Sequence, residues 1–183
     1  MNRLARPTLI AALAAGALAV PIAAHDHNAA DGATVAAMKL ADGADVGTIS
    51  FTQTGHGVVV TVAVKGLPAG KHGLHIHAVG ACAPDFMAAG GHFNPGSTEH
   101  GFHAPGGYHA GDLPNLDVAA DGTAMAEFFV PDLTIHGPAS EALPYALHDE
   151  DGASIMIHAA TDDHKTMASS GGRLACGVIV AKG

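Results

Sequence analysis

Short runs in which apolar positions alternate with small or polar ones recur along the chain. They fall at 34–40 (TVAAMKL), 46–53 (VGTISFTQ), 56–65 (HGVVVTVAVK), 72–78 (HGLHIHA), 116–119 (LDVA), 123–130 (TAMAEFFV), 154–159 (SIMIHA) and 176–181 (CGVIVA). Turns punctuate them at Ala41-Asp42-Gly43, Thr54-Gly55 and Ala120-Asp121-Gly122. A two-residue period with Asp-Gly and Gly turns predicts antiparallel strands. No stretch after residue 24 carries a helical pattern. About eight short strands predict an all-β barrel or sandwich. Residues 131–150, broken by Pro131, Pro138 and Pro144, read as a connection in which 133–135 forms a short strand or turn. Two other long loops, 80–112 and 160–173, hold the unusual chemistry, and loops on a rigid β scaffold are where function is expected.

The first 24 residues stand apart. Arg3 and Arg6 precede an apolar run, 8–20, that is short for a membrane span, and Ile22-Ala23-Ala24 offers a small-residue cleavage site. This is the pattern of a secretory signal peptide. The expected organisation is a signal peptide at 1–24, a His-containing tail at 25–33 and one domain at 34–183. Cleavage after Ala24 would leave His25-Asp26-His27 at the terminus. An amine, two amides and a third-position imidazole there form the square-planar set that Cu(II) favours.

Export changes the reading of charge and cysteine. Residues 1–24 carry two of the 8 Lys+Arg and none of the 17 Asp+Glu, so the processed chain has a net charge of −11 with His neutral. Such a charge disfavours nucleic acid and anionic membranes as partners. Cys82 and Cys176 are the only cysteines. In an oxidising compartment they are most simply one disulfide, with two free thiols as the alternative.

Histidine is abundant, at 14 residues, and directs attention to metals. In HFNPGSTEHGFHAPGGYHAGD (92–112), Pro95, Pro105 and repeated glycines exclude a long helix or central strand. His92, His100, His109 and Asp112 there supply the N/N/N/O set that zinc accepts. His75 and His77 lie two apart on a predicted strand, so both point to one face and make half a copper or zinc site. His158 ends a later strand. His72 lies off the His75/His77 face and reads as a surface residue, as do His103, His136, His148 and His164.

GLHIH, GHFNP with its spaced histidines, the late strand ending in His158, and GGRLACGV together resemble the copper/zinc superoxide dismutases in their bacterial exported form. The resemblance runs from about Thr34 to Ala181. It implies an eight-stranded antiparallel Greek-key β-barrel with two long functional loops. It implies copper held by His75, His77, His92 and His158, and zinc held by His92, His100, His109 and Asp112. His92 would bridge the metals, Arg173 would be the cation beside copper, and Asp162 would link a copper-ligand and a zinc-ligand histidine. It also implies a Cys82–Cys176 disulfide tying the ligand loop to the barrel. The loop between Cys82 and His92 is longer than in cytosolic eukaryotic members, and the loop after His158 keeps one lysine, Lys165.

The function so implied is conversion of superoxide to dioxygen and hydrogen peroxide, with one copper and one zinc ion per subunit. Copper would cycle between Cu(II) and Cu(I), and the zinc-held His92 would relay protons. The expected partner is superoxide itself, and the assembly is a homodimer or a monomer. The expected place is outside the cytoplasm, with the periplasm favoured, where the enzyme would protect the cell envelope. A metal-buffering dismutase-like domain would need only some of these ligands. A β domain stabilised by zinc alone gives no reason for His75, His77 and His158.

Overall fold

The computed structural model describes residues 33–180. The expected signal peptide and the His25-Asp26-His27 terminus lie outside the described residues. Ten strands follow in order: β1 (Thr34–Leu40), β2 (Asp45–Thr54), β3 (Gly57–Val64), β4 (Gly70–His77), β5 (Asp112–Val118), β6 (Ala124–Pro131), β7 (Leu133–Thr134), β8 (Tyr145–Ala146), β9 (Ala153–His158) and β10 (Arg173–Val180). Among the described residues there is no α-helix, only a 3₁₀ turn at Phe86–Ala89.

Eight strands form one antiparallel sheet in the order β5-β4-β9-β10-β1-β2-β3-β6. Its two end strands, β5 and β6, touch each other, so the sheet is a nearly closed barrel. The return of β10 beside β1, and the crossing from β3 to β4 and from β6 to β9, give the Greek-key order. Alternation places Ile49, Phe51, Val60, Val62, Leu74, Ile76, Leu116, Ile155 and Ile157 inside, all fully buried. Each such side chain contributes roughly 1.5–3 kcal/mol of burial. The two short strands β7 and β8 pair parallel in the connection.

Two elements differ from the sequence pattern. β5 begins at Asp112 rather than 116 and runs through Pro114. Proline breaks a central strand, but β5 is an edge with a partner only on the β4 side, so no ladder bond is lost. Its start at Asp112 matters, because it puts that carboxylate on a strand opposite His75. β10 likewise begins at Arg173 rather than 176, opposite His158.

A second, small apolar cluster sits on the outer face of β9 and β10. Ala89, Met156 and Cys176 are buried there, with Cys82 and Phe86 packed against them. Cys82 and Cys176 form the disulfide, with Cα atoms 5.9 Å apart and 94 residues between them in sequence. The Asp85 carboxylate caps the 3₁₀ turn by accepting from the Met87 N–H at 2.9 Å. This clasp holds residues 82–90 against the barrel wall.

Candidate metal centre

Strand register sets half of the centre. His75 pairs with Met156 and His77 with Ser154 on β9, while Leu74 and Ile76 pair with Ile157 and Ile155 in the core. His75, His77 and, by the same alternation, His158 therefore share the outer face. Loops cover that face, so all three are buried. The loop that brings His92 is pinned to β4: His77 and His92 form an isolated antiparallel bridge. The Phe93 N–H donates to the Ile76 carbonyl, and the Ile76 N–H to the Gly111 carbonyl, each at 2.8 Å.

His92, His100, His109 and Asp112 converge as one buried group. Asp112 Oδ1 lies 2.9 Å from His92 Nδ1, 3.1 Å from His100 Nδ1 and 3.4 Å from His109 Nδ1. His92 Nδ1 and His109 Nδ1 are 3.3 Å apart. A tetrahedron with ligand bonds near 2.0–2.1 Å has edges of about 3.3 Å. The other oxygen, Asp112 Oδ2, accepts from the backbone N–H groups of Gly101 at 2.8 Å and His109 at 3.2 Å, which turns Oδ1 to the centre.

His75, His77, His92 and His158 form the second group and share His92 with the first. His92 uses Nδ1 in the tetrad, which leaves its Nε2 for this group. The rings of His75 and His92 stack at 3.9 Å. Acceptors behind each ring fix the tautomers. His75 Nε2–H donates to Asp162 Oδ2 at 2.6 Å, His77 Nδ1–H to the Gly90 carbonyl at 3.1 Å and His158 Nδ1–H to the Gly171 carbonyl at 3.4 Å. The remaining nitrogens carry lone pairs. His77 Nε2 and His158 Nε2 face each other at 3.4 Å. His75 Nδ1 is buried with no hydrogen-bond partner. Converging lone pairs and an orphaned buried acceptor fit a bound cation, so both donor sets suit metal ions.

Asp162 joins the groups. Its Oδ1 accepts from His100 Nε2–H at 3.1 Å while Oδ2 serves His75. Ser169 and the His164 N–H also donate to Oδ1. Burial pushes the Asp162 carboxyl up, but these donors outweigh it and hold it well below the usual carboxylate range. Asp112 behaves alike: burial raises it, and the His92 hydrogen bond, the Gly101 N–H and the adjacent His100 and His109 imidazoles bring it down. Desolvation lowers His75 to about 4, His158 to about 3 and His77 to about 2, with neighbouring imidazoles adding to the effect. Burial also lowers His109. Neutral imidazoles facing ionised carboxylates are the protonation states that metal ligation needs.

Arg173 stands opposite His158 on the adjacent strand. Its guanidinium donates to the carbonyls of Phe86 and Gly90, the latter at 2.6 Å. The loop clasped by the disulfide therefore orients the cation, and its Gly90 carbonyl serves His77 as well.

The structure brings together all seven side chains expected to hold metals, with Asp162 between the two groups and Arg173 at the edge. It departs from the sequence reading at two histidines. His72 is not a surface residue: it is buried, with Nδ1 2.7 Å from the His158 carbonyl and Nε2 2.9 Å from the Pro68 carbonyl. The pairing of β4 with β5 shifts between His72 and Leu74, which breaks the simple alternation there. His164 is half-buried, with Nε2 3.2 Å from Asn115 Nδ2 and its ring 4.7 Å from that of Phe102. His103, His136 and His148 are exposed.

A family model described as copper/zinc superoxide dismutase matches residues 46–179. The Cu-Zn superoxide dismutase of Caulobacter vibrioides is 43% identical over 148 residues, covering 79% of this chain and 83% of its own. That of Haemophilus parainfluenzae is 37% identical over 192 residues, covering 94% and 97%. Among solved structures, a double mutant of a SOD-like protein from Bacillus subtilis superposes with a TM-score of 0.73 at 39% identity, covering 80% of this chain and 96% of that one. With sequence, barrel and paired histidine groups in agreement, the chain belongs to the copper/zinc superoxide dismutase family, whose metals are copper and zinc.

Proposed function

We propose that the protein is an exported superoxide dismutase that catalyses 2 O2•− + 2 H+ → O2 + H2O2. The observation that carries this reading is the sharing of His92 between two complete donor sets. His75, His77, His92 and His158 hold copper, and His92, His100, His109 and Asp112 hold zinc. Copper, when bound, supplies the one-electron cycle by which one superoxide is oxidised and the next reduced.

The protein's own residues supply position, charge and protons. His92 is fixed through Nδ1 between Asp112 and His109, and its Nε2, when not held by copper, would carry one of the two protons that hydrogen peroxide needs, the other coming from water. Arg173, braced by two carbonyls, draws the anion toward His158 despite the negative net charge, because local potential and not total charge guides a small ion. Asp162 holds His75 and His100 in the tautomers that leave Nδ1 of each free.

The domain proper is 34–183, and removal of residues 1–24 delivers it outside the cytoplasm. The disulfide is consistent with export. In that setting the enzyme protects the envelope. The test is metal content with superoxide consumption on purified, fully loaded protein. One copper and one zinc per chain with fast consumption are expected. Full loading without activity would leave a metal-buffering domain instead.

A further inference from the structure

The tetrad proposed for zinc is almost sealed. The side-chain exposure of its members is 0% for Asp112, 2% for His100, 4% for His92 and 9% for His109. A hydrated divalent cation must exchange its waters for these ligands one at a time, and it needs an approach along which to do so. A cleft of about 560 Å³ opens on the side of the most exposed member. His100 and His109 of the tetrad line it, together with Glu99, His103, Lys165 and Met167. Neither His75, His77, His158 nor Arg173 lines it.

Glu99 and His103 are exposed, and neither side chain makes a hydrogen bond or ion pair with another described residue. Their donor atoms, a carboxylate and an imidazole, are of the types zinc accepts. The segment between them packs against the loop that carries His164. Gly101 has φ +88°, and a Cβ there would run into the backbone of His164. Phe102 lies against the His164 ring at 4.7 Å and edge-on to Tyr108 at 5.0 Å. The two donors thus line the same cleft as His100 and His109.

We propose that this cleft is the route by which zinc reaches and leaves the tetrad, with Glu99 and His103 as transit ligands and Lys165 as an opposing charge that slows passage. The inference rests on the zinc reading of His92, His100, His109 and Asp112. A transit ligand changes the rates of uptake and release alike and leaves the equilibrium between them unchanged. A residue that merely supports the tetrad changes the affinity.

The test uses the full mature chain loaded with both metals. Zinc release is followed by the absorbance of a chromophoric chelator, and re-uptake by the visible bands of Co(II) added as probe. In Glu99→Gln/His103→Gln both rates should fall by the same factor, about five- to tenfold, because a transit ligand lowers a barrier that is crossed in both directions. The zinc dissociation constant should then stay within about twofold of wild type, since a barrier common to both directions cancels from the equilibrium. Lys165→Gln should raise both rates. Wild-type rates in the double variant, or an affinity loss as large as the rate change, overturns the route. His109→Ala separates the two readings: full zinc retention there refutes the tetrad itself, whereas zinc loss there with unchanged rim rates refutes only the route.

Discussion

Asp162 accepts a hydrogen bond from His75 Nε2–H at 2.6 Å, across 87 residues of sequence and with both side chains fully buried. The same carboxylate holds His100 at 3.1 Å, so one residue sets a tautomer in each metal group. Asp162→Asn keeps the volume but offers a single acceptor oxygen, and its amide presents N–H to one of the two imidazole N–H groups. One tautomer is then lost. Loss of the acceptor behind a ligating imidazole typically costs about 10–100-fold in metal affinity. Competition titration should show weakening for at least one metal by that factor, and wild-type affinity for both would refute the linking role.

Arg173 should act on rate rather than on metal content. Among the described residues its guanidinium hydrogen-bonds to backbone carbonyls, and no imidazole of the two metal groups takes its tautomer from it. Arg173→Ala should lower the rate of superoxide consumption more than about tenfold and flatten its dependence on ionic strength, since steering of a small anion is screened by salt. Copper and zinc should be retained. A rate within about twofold of wild type would sink the assignment.

The barrel was legible because its strands carry a two-residue period and its turns carry Asp-Gly, two local signals. The set of His92, His100, His109 and Asp112 was legible in a Gly- and Pro-rich segment that excludes regular structure, and HxH on a strand gave two imidazoles on one face; the grouping of His92 and His158 with them, and the places of Asp162 and Arg173, came from the family resemblance. Other parts depend on contacts that leave no local trace. The carbonyls of Phe86 and Gly90 orient Arg173 and His77 whatever their side chains are. The early start of β5 follows from its place at the sheet edge, which no window around Pro114 reveals. His72 was misread because the shift in β4 pairing next to it is a tertiary event.

The burial of His72 bears on the metal groups. His72 lies between the carbonyls of His158 and Pro68, and so sits between the backbone of one metal-group residue and the loop before β4. A neutral imidazole has a single N–H to donate, and a substitution that leaves the buried His158 carbonyl without a donor costs roughly 1–3 kcal/mol. His72→Ala should therefore lower the unfolding midpoint in denaturant and broaden the spectrum of bound Cu(II), as His158 loosens. His72→Gln, which can still donate to one carbonyl, should recover part of both losses. Equal stability in the alanine variant would show that water replaces the imidazole.

The disulfide should govern the site as well as the fold. On the chain-entropy model a closed loop of this length contributes about 4–5 kcal/mol. Its local effect is different: it clasps residues 82–90, whose carbonyls hold Arg173. Cys82→Ser/Cys176→Ser should lower stability by a few kcal/mol in chemical denaturation. In the folded fraction it should also reduce activity in the manner of Arg173→Ala, with metals still bound. Loss of stability with full specific activity would mean that the loop keeps Arg173 in place without the clasp.

Acid should unfold the metal-free protein through its buried imidazoles. His75, His158 and His77 titrate at about 4, 3 and 2 in the folded chain, below the ordinary 6.5, because burial disfavours their charged forms. Below pH 6.5 the unfolded chain binds protons that the folded chain refuses, so stability falls as pH falls. Each group contributes up to about 1.4 kcal/mol per pH unit until its folded pKa is reached, so three set an upper slope of about 4 kcal/mol per unit. Asp112 and Asp162, held low, act in the same direction further down: their stabilisation is present above the ordinary carboxylate pKa and is lost as pH falls through the folded value. Bound metal should oppose the loss, since protons must displace it from the same nitrogens. Thermal unfolding of the metal-free protein from pH 7 to pH 5 should show a steep drop that His77→Gln makes shallower. A melting temperature independent of pH across that range would mean that the imidazoles are solvated and not buried as described.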